Sequence, residues 1–162
     1  MLLFRVWLFV FLAAPALAAT HHVPAGGDLH AALDAAQPGD VVELEPGATY
    51  TGNFRLPVKD GTDFIVLRTA GDDLPGPGVR INRAHAPRLA KLQSGNTAPA
   101  LATTAGAHHW RVELLEFLPN SRGAGDIITL GASSQTQMAQ MPFDLVIVRV
   151  YVHGDRATGQ KR

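Results

Sequence analysis

The sequence predicts an all-β fold of short strands, entered through one short helix. Three observations predict it. Strand-like runs follow one another from residue 41 to residue 154 with no convincing amphipathic helix between them, which argues against a βαβ sheet. Sixteen glycines and eleven prolines supply many turns and favour short elements over long helices. Runs of similar character recur at Phe64, Trp110 and Leu145, a loose repeat with variable insertions such as a solenoid produces.

The first twenty residues stand apart. Arg5 is followed by an apolar run from Val6 and then by small residues ending Ala16-Leu17-Ala18. That is the order of a secretory signal peptide, 1–18, with cleavage after Ala18. An uncleaved anchor is the alternative reading, because the run approaches spanning length. The remaining 19–162 suits one domain. The expected location is secreted or periplasmic.

In the stretch "GGDLHAALDAAQPGD", Asp28 is a good N-cap, and Leu29, Ala32, Leu33 and Ala36 fall at helical spacing. Pro38-Gly39 stops the helix after two or three turns. So short a one-sided helix is stable only against something else.

Strands follow. "DVVELE" alternates, with Val42 and Leu44 opposite Glu43 and Glu45, and Pro46-Gly47 turns it. In "TYTGNFRL" Tyr50, Gly52, Phe54 and Leu56 share one face of a single expected strand. "DFIVLRT" (63–69) is nearly continuous in apolar residues, as in a parallel stack. "HWRVELLEF" (109–117) and "DIITLG" (126–131) continue the series. "DLVIVRVYVHG" (144–154) sets Val146, Val148, Val150 and Val152 on one face, with Leu145, Ile147, Arg149, Tyr151 and His153 on the other. The segment from Gly71 to Pro99 reads as a long loop, a length that is usually functional or an excursion from a regular scaffold.

The stretch "LHAALDAAQPGDVVELEPGATYTGNF" resembles the N-terminal opening of secreted right-handed parallel β-helix proteins, the pectin lyase-like superfamily. The residues that carry the resemblance are Leu29, Ala32, Leu33, Ala36, Pro38, Gly39, Asp40, Pro46, Gly47, Tyr50, Gly52 and Phe54. The resemblance covers roughly residues 20 to 155, and its sharp part is the opening motif alone. It implies a right-handed parallel β-helix with segment 28–37 lying across its first coil as a cap. It also implies an exported protein active on polysaccharide, a lyase or hydrolase of acidic glycans, in which Ca²⁺ or another cation often neutralises a uronate carboxylate. A non-catalytic β-helix that binds glycan or a surface is the alternative, and an inactive fragment is a third. Relatives of this kind run to several hundred residues and end in a cap, whereas "GDRATGQKR" follows a strong strand directly. The expectation is therefore a β-helix incomplete at its C-terminus.

Chemistry is harder to read. Fourteen acidic and fourteen basic residues balance, so no global field points to nucleic acid or to a membrane. The absence of cysteine excludes disulfides, thiolate metal sites and a Cys nucleophile. Of seven histidines, His21-His22 and His108-His109 are adjacent pairs. Neighbours on an extended strand point to opposite faces, so neither pair forms a two-ligand site, and His21-His22 reads as a terminal feature. No metal site and no cofactor site is expected from spacing.

Arg80, Arg83, His85, Arg88 and Lys91 make the 71–99 loop locally basic. They could fork the carboxylates of an acidic polysaccharide, although Asp72 and Asp73 nearby favour a merely solvated loop. Arg149, Tyr151 and His153 align at period two with Asp155 and Arg156 just beyond, a possible groove wall. Such rows occur on any exposed β-face, and no catalytic residue is assigned. Asp126 and Asp144 are isolated acids at strand starts, and Asp40 and Asp60 read as turn residues.

Overall fold

A computed structural model describes residues 17–120, 122–157 and 160. Sixteen of the eighteen residues of the expected signal segment, 1–16, lie outside that range. Among the described residues the chain is mostly β, with one short α-helix and twelve strands, every pairing of which is parallel. No helix among them is long and apolar enough to cross a membrane.

Three sheets are filled in rotation. Strand β1 (Thr20–Val23) and helix α1 (Leu29–Ala35) make the first circuit. Then β2 (Val41–Leu44), β3 (Thr49–Thr51) and β4 (Phe54–Leu56) place one strand in each sheet. Strands β5 (Ile65–Thr69), β6 (Ala90–Gln93) and β7 (Leu101–Thr103) repeat the pattern, as do β8 (His108–Glu113), β9 (Leu115–Phe117) and β10 (Ile128–Thr129). Strands β11 (Phe143–Val148) and β12 (Tyr151–Val152) come last. The first sheet therefore runs β1-β2-β5-β8-β11, the second β3-β6-β9-β12 and the third β4-β7-β10.

Registration stacks like on like. In the first sheet, register pairs give the rows Val42–Leu67–Val112–Ile147 and Ile65–Trp110–Leu145. The second sheet adds Tyr50–Leu92–Phe117–Val152. On the inner circuits these side chains fill the interior, with Trp110 and Phe117 fully buried and the Trp110 indole donating to Pro57 O at 2.9 Å, while Ile147 and Val152 on the last circuit are exposed. Because each strand pairs with the circuits beside it, strands of three residues are stable here that would not be alone.

The helix forms as the sequence predicts. The Asp28 carboxylate accepts from Ala31 N at 3.0 Å, and Leu29, Leu33 and Ala36 are buried against the core while Ala31 and Asp34 face solvent. It covers the β1 end of the stack, and Gly39, at φ 92°, makes the turn into β2.

Several expectations are corrected. "THHV" is strand β1, not a loose terminus, because it pairs with β2 and the His21 ring bonds Asp40 at 2.8 Å. Asp40 is more than a turn residue: it is 5 % exposed and also accepts from Ala19 N and Gln37 N. Burial pushes its carboxyl up, but those two backbone donors and His21 together hold it below the ordinary 3.8. "TYTGNFRL" is two strands in two sheets, bent at Gly52-Asn53, although Tyr50, Phe54 and Leu56 all still point inward. Strand β6 lies inside the segment expected to be loop, which shrinks the long excursion to residues 70–89.

The last run is also two strands. Arg149 sits at φ 53°, directly beside Leu114 at φ 54° on the preceding circuit, and Leu114 N donates to Arg149 O at 3.0 Å. This left-handed corner reverses the inside and outside phase. Leu145 and Ile147 face inward over Trp110 and Val112, whereas Val146 and Val148 lie over the outward Arg111 and Glu113. After the corner, Val150 packs on the core and Val152 lies over Phe117. The four valines do not form one stripe.

Candidate functional site

The outer face of the second sheet carries its own register row. Thr49, Lys91, Glu116 and Tyr151 are direct partners on β3, β6, β9 and β12, so adjacent members are one strand spacing apart, about 4.8 Å. Gln93 lies two residues beyond Lys91, and His153 two beyond Tyr151. Lys91, Gln93, Glu116, Tyr151 and His153 floor a groove of about 780 Å³. One wall is Arg83, Ala86 and Pro87 from the 70–89 excursion, and another is Asp155 and Arg156.

The excursion is held in place, which makes it a wall. Ile81 and Leu89 pack with Leu114 in a small apolar cluster that Leu74 and Tyr151 extend. The Lys91 ammonium donates to Ala86 O at 2.9 Å and to Leu89 O at 2.8 Å. The Arg149 guanidinium reaches across to Pro75 O at 2.8 Å and to Glu113 at 3.0 Å. Glu113 also accepts from Arg111 at 2.8 Å. Burial pushes the Glu113 carboxyl up, but Arg111 and Arg149 outweigh it and hold the group below its ordinary 4.5.

Electrostatically the groove is mixed, with Lys91 and Glu116 on its floor and Arg83, Arg156 and Asp155 on its walls. Glu116 is 4 % exposed, with His153 Nε2 at 3.0 Å from Oε1 and the Lys91 ammonium at 3.5 Å from Oε2. The Tyr151 and His153 rings lie 4.7 Å apart, tilted by 32°. The exposed guanidinium groups of Arg83 and Arg156 have no ion-pair partner among the described residues. Such a surface can grip a polyanion along its walls while polar groups on the floor meet its hydroxyls.

The structure sorts the residues singled out from sequence. Tyr151, His153, Asp155 and Arg156 line one groove, together with Arg83 and Lys91 from the basic segment. It removes Arg149, which is committed to Glu113 and Pro75 at the corner. Arg88 is paired with Asp73 at 3.3 Å, and His85 Nδ1 accepts from Asn82 N, as in a self-satisfied loop. Arg80 lines a separate groove beside the corner at Arg149.

His108 and His109 do not point apart, because His109 is at φ 54° and the two Nδ1 atoms come within 2.7 Å. Asp144, also left-handed at φ 48°, stands beside them, 3.4 Å from His109 Nε2. Glu116 and Gln93 were not singled out from sequence. The outward phase of Glu116 in "ELLEF" was the available signal, but its neighbours across the sheet are 25 residues back and 35 forward.

A Ca²⁺ centre of the kind the resemblance implies does not fit these residues. The ion takes six to eight converging oxygens. Glu116 instead faces the Lys91 ammonium and the His153 ring, Asp155 Oδ1 accepts from Ala157 N at 2.7 Å, and two guanidinium groups flank the groove. No group of three or more metal-ligating side chains occurs among the described residues.

No family model matches this chain, and no curated protein matches it. Among solved structures it is similar to the crystal structure of an alginate lyase from Paenibacillus sp. str. FPU-7. The match has a TM-score of 0.52 at 17% identity and covers 86% of this chain and 51% of that one. At that identity the likeness concerns the fold of parallel sheets, and the chain spans about half the length of the protein it matches.

Proposed function

We propose that this chain is part of an exported right-handed parallel β-helix protein that engages an acidic polysaccharide, as a lyase or hydrolase of uronate-containing glycans. The observation that carries the reading is the groove on the outer face of the second sheet. There Arg83 and Arg156 flank a floor of Lys91, Glu116, Tyr151 and His153. Guanidinium groups fork carboxylates, and an open groove of about 780 Å³ has room for a segment of a glycan chain. The fold likeness to an alginate lyase supports the substrate class. For an elimination the groove offers cations to neutralise a uronate carboxylate, and Tyr151 and His153 as groups within reach of a proton beside it.

One observation favours a second reading, a glycan-binding module without catalysis. Both ring nitrogens of His153 face protein acceptors, Glu116 and the Gly154 carbonyl, and two of the three Lys91 donors are bound to loop carbonyls. Groups so committed hold a surface in shape more readily than they move protons.

The test is affinity electrophoresis through gels containing polymannuronate, polyguluronate or polygalacturonate, together with ultraviolet detection of unsaturated uronate products. Retention with product supports the lyase, and retention without any chain cleavage supports the binding module. Replacing Arg83 and Arg156 by alanine should weaken retention by about tenfold per guanidinium, as expected for a hydrogen bond to a charged group. Neither retention nor cleavage on any of the three polymers would overturn the reading.

A further inference from the structure

Asp40 and the backbone of Ala19 meet where the expected signal segment ends. Ala19 follows Ala16-Leu17-Ala18, the small-residue pattern at which such segments are cut. Its nitrogen donates to Asp40 Oδ1 at 2.7 Å, and its carbonyl accepts from Val41 N at 2.9 Å. The nitrogen is thus fixed from both sides of its residue, one step before β1 begins to pair at Thr20 and Val41. Upstream the chain leaves the stack, with Ala18 exposed and Leu17 92 % exposed. The Ala18–Ala19 bond is open to a peptidase on one side, and the nitrogen it would release is already held on the other.

The receiving carboxylate lacks a permanent cation. Asp40 is 5 % exposed, and among the described residues its ion-pair partner is His21, an imidazole charged only when protonated. His21 Nε2 and Gln37 N both approach Oδ2 at 2.8 Å, while Oδ1 takes the Ala19 nitrogen. A buried carboxylate is costly unless an opposite charge accompanies its hydrogen bonds. In the unprocessed chain Ala19 offers a neutral amide N–H. A Cβ placed at Gly39 would meet Asp63 at 3.9 Å and Ala18 at 4.0 Å, so the Asp63 carboxylate also stands on this side of the turn.

Hydrolysis changes that balance. Water adds across the Ala18–Ala19 peptide bond, leaving a carboxylate on Ala18 and an amine on Ala19 that takes up the acid's proton near neutral pH. Resting on the expected cleavage after Ala18, we propose that processing turns Ala19 into a terminal ammonium ion-paired with Asp40, so that removal of the signal segment itself locks the first circuit. The neutral N–H···O bond becomes a charge-assisted one at the same place, and the buried carboxylate gains a fixed counter-ion. The switch does not depend on what the groove binds.

The experiment exports the full chain from a bacterial host and reads the first residue of the product by mass spectrometry. Ala19 is expected, and any other first residue overturns the proposal. The product 19–162 is then compared with a chain beginning at Leu17, which has the same net charge but carries its ammonium two residues away from Ala19 N. At pH 7 the product should melt about 3–6 °C higher, and D40N should remove the difference.

The pairing raises the proton affinity of the amine. Its stabilisation is therefore complete below the ordinary α-amino range of about 7.7–8.0 and is lost as pH rises through the higher folded value. NMR titration of ¹³C-labelled Ala19 should place the amine above that range, a measurement that needs no variant to fold. An amine that titrates within the ordinary range, equal melts of the two chains at pH 7, or a difference that survives in D40N overturns the proposal.

Discussion

Asp40 joins three parts of the first circuit, and its replacement by asparagine shows how strongly the stack is closed at that end. The carboxylate accepts from Ala19 N at 2.7 Å, from Gln37 N at 2.8 Å and from His21 at 2.8 Å, linking β1, the end of the helix segment and the start of β2. Asparagine retains one acceptor oxygen, which Gln37 N and His21 can keep, and places an NH₂ group against Ala19 N. One charge-assisted bond is lost outright and the others weaken, for a cost of about 2–3 kcal/mol. For a domain of this size that lowers Tm by about 5–10 °C.

The acid limb fixes the cause. The Asp40 carboxyl is held below 3.8 in the fold, so its contribution is complete above 3.8 and is lost as pH falls through the lower folded value. Thermal melts followed by circular dichroism at pH 7 should therefore separate wild type from D40N. The gap should begin to close only below about pH 3.8, the pKa of the group in the unfolded chain. Melts that coincide at pH 7 would refute the reasoning, as would a gap that persists undiminished into strong acid.

Two further predictions concern the groove wall and the third sheet. E113Q weakens the anchor through which Arg149 holds Pro75, so trypsin should cut at Arg80, Arg83 or Arg88 about tenfold faster in the folded protein. Because Glu113 is held below 4.5, acid should produce the same loosening in the wild type as pH falls below that value. G125A places a Cβ 2.2 Å from Thr97 O at a residue whose φ is 80°, so the backbone must shift. The left-handed strain alone costs about 1–2 kcal/mol, and a Tm unchanged by the substitution would contradict the geometry.

How much was legible in the sequence depends on where the signal is stored. Helix α1 and strands β2 and β5 were readable because an N-cap, a Pro-Gly stop and apolar spacing are local. The corners were not. Leu114 and Arg149 adopt left-handed backbone although neither residue type announces it, so β8-β9 and β11-β12 each read as one long strand. The reading of the valine stripe failed for the same reason, since period two does not survive a left-handed residue. Strand β1 was hidden because "THHV" owes its pairing to β2 rather than to its own apolarity.

The site was half legible. Tyr151 and His153 are neighbours in sequence and were read together, while Lys91 and Glu116 join them only through stacking between circuits. The separations along the chain, 25 and 35 residues, share no period from which that stacking could be inferred.

Those unequal separations bear on how such a surface changes over evolutionary time. The connection from β5 to β6 is long and that from β2 to β3 is short, yet Thr49 and Lys91 remain direct partners. Insertions outside the sheets are absorbed without moving the row, so a circuit can lengthen its connection and still present its row residue at the same place in the groove.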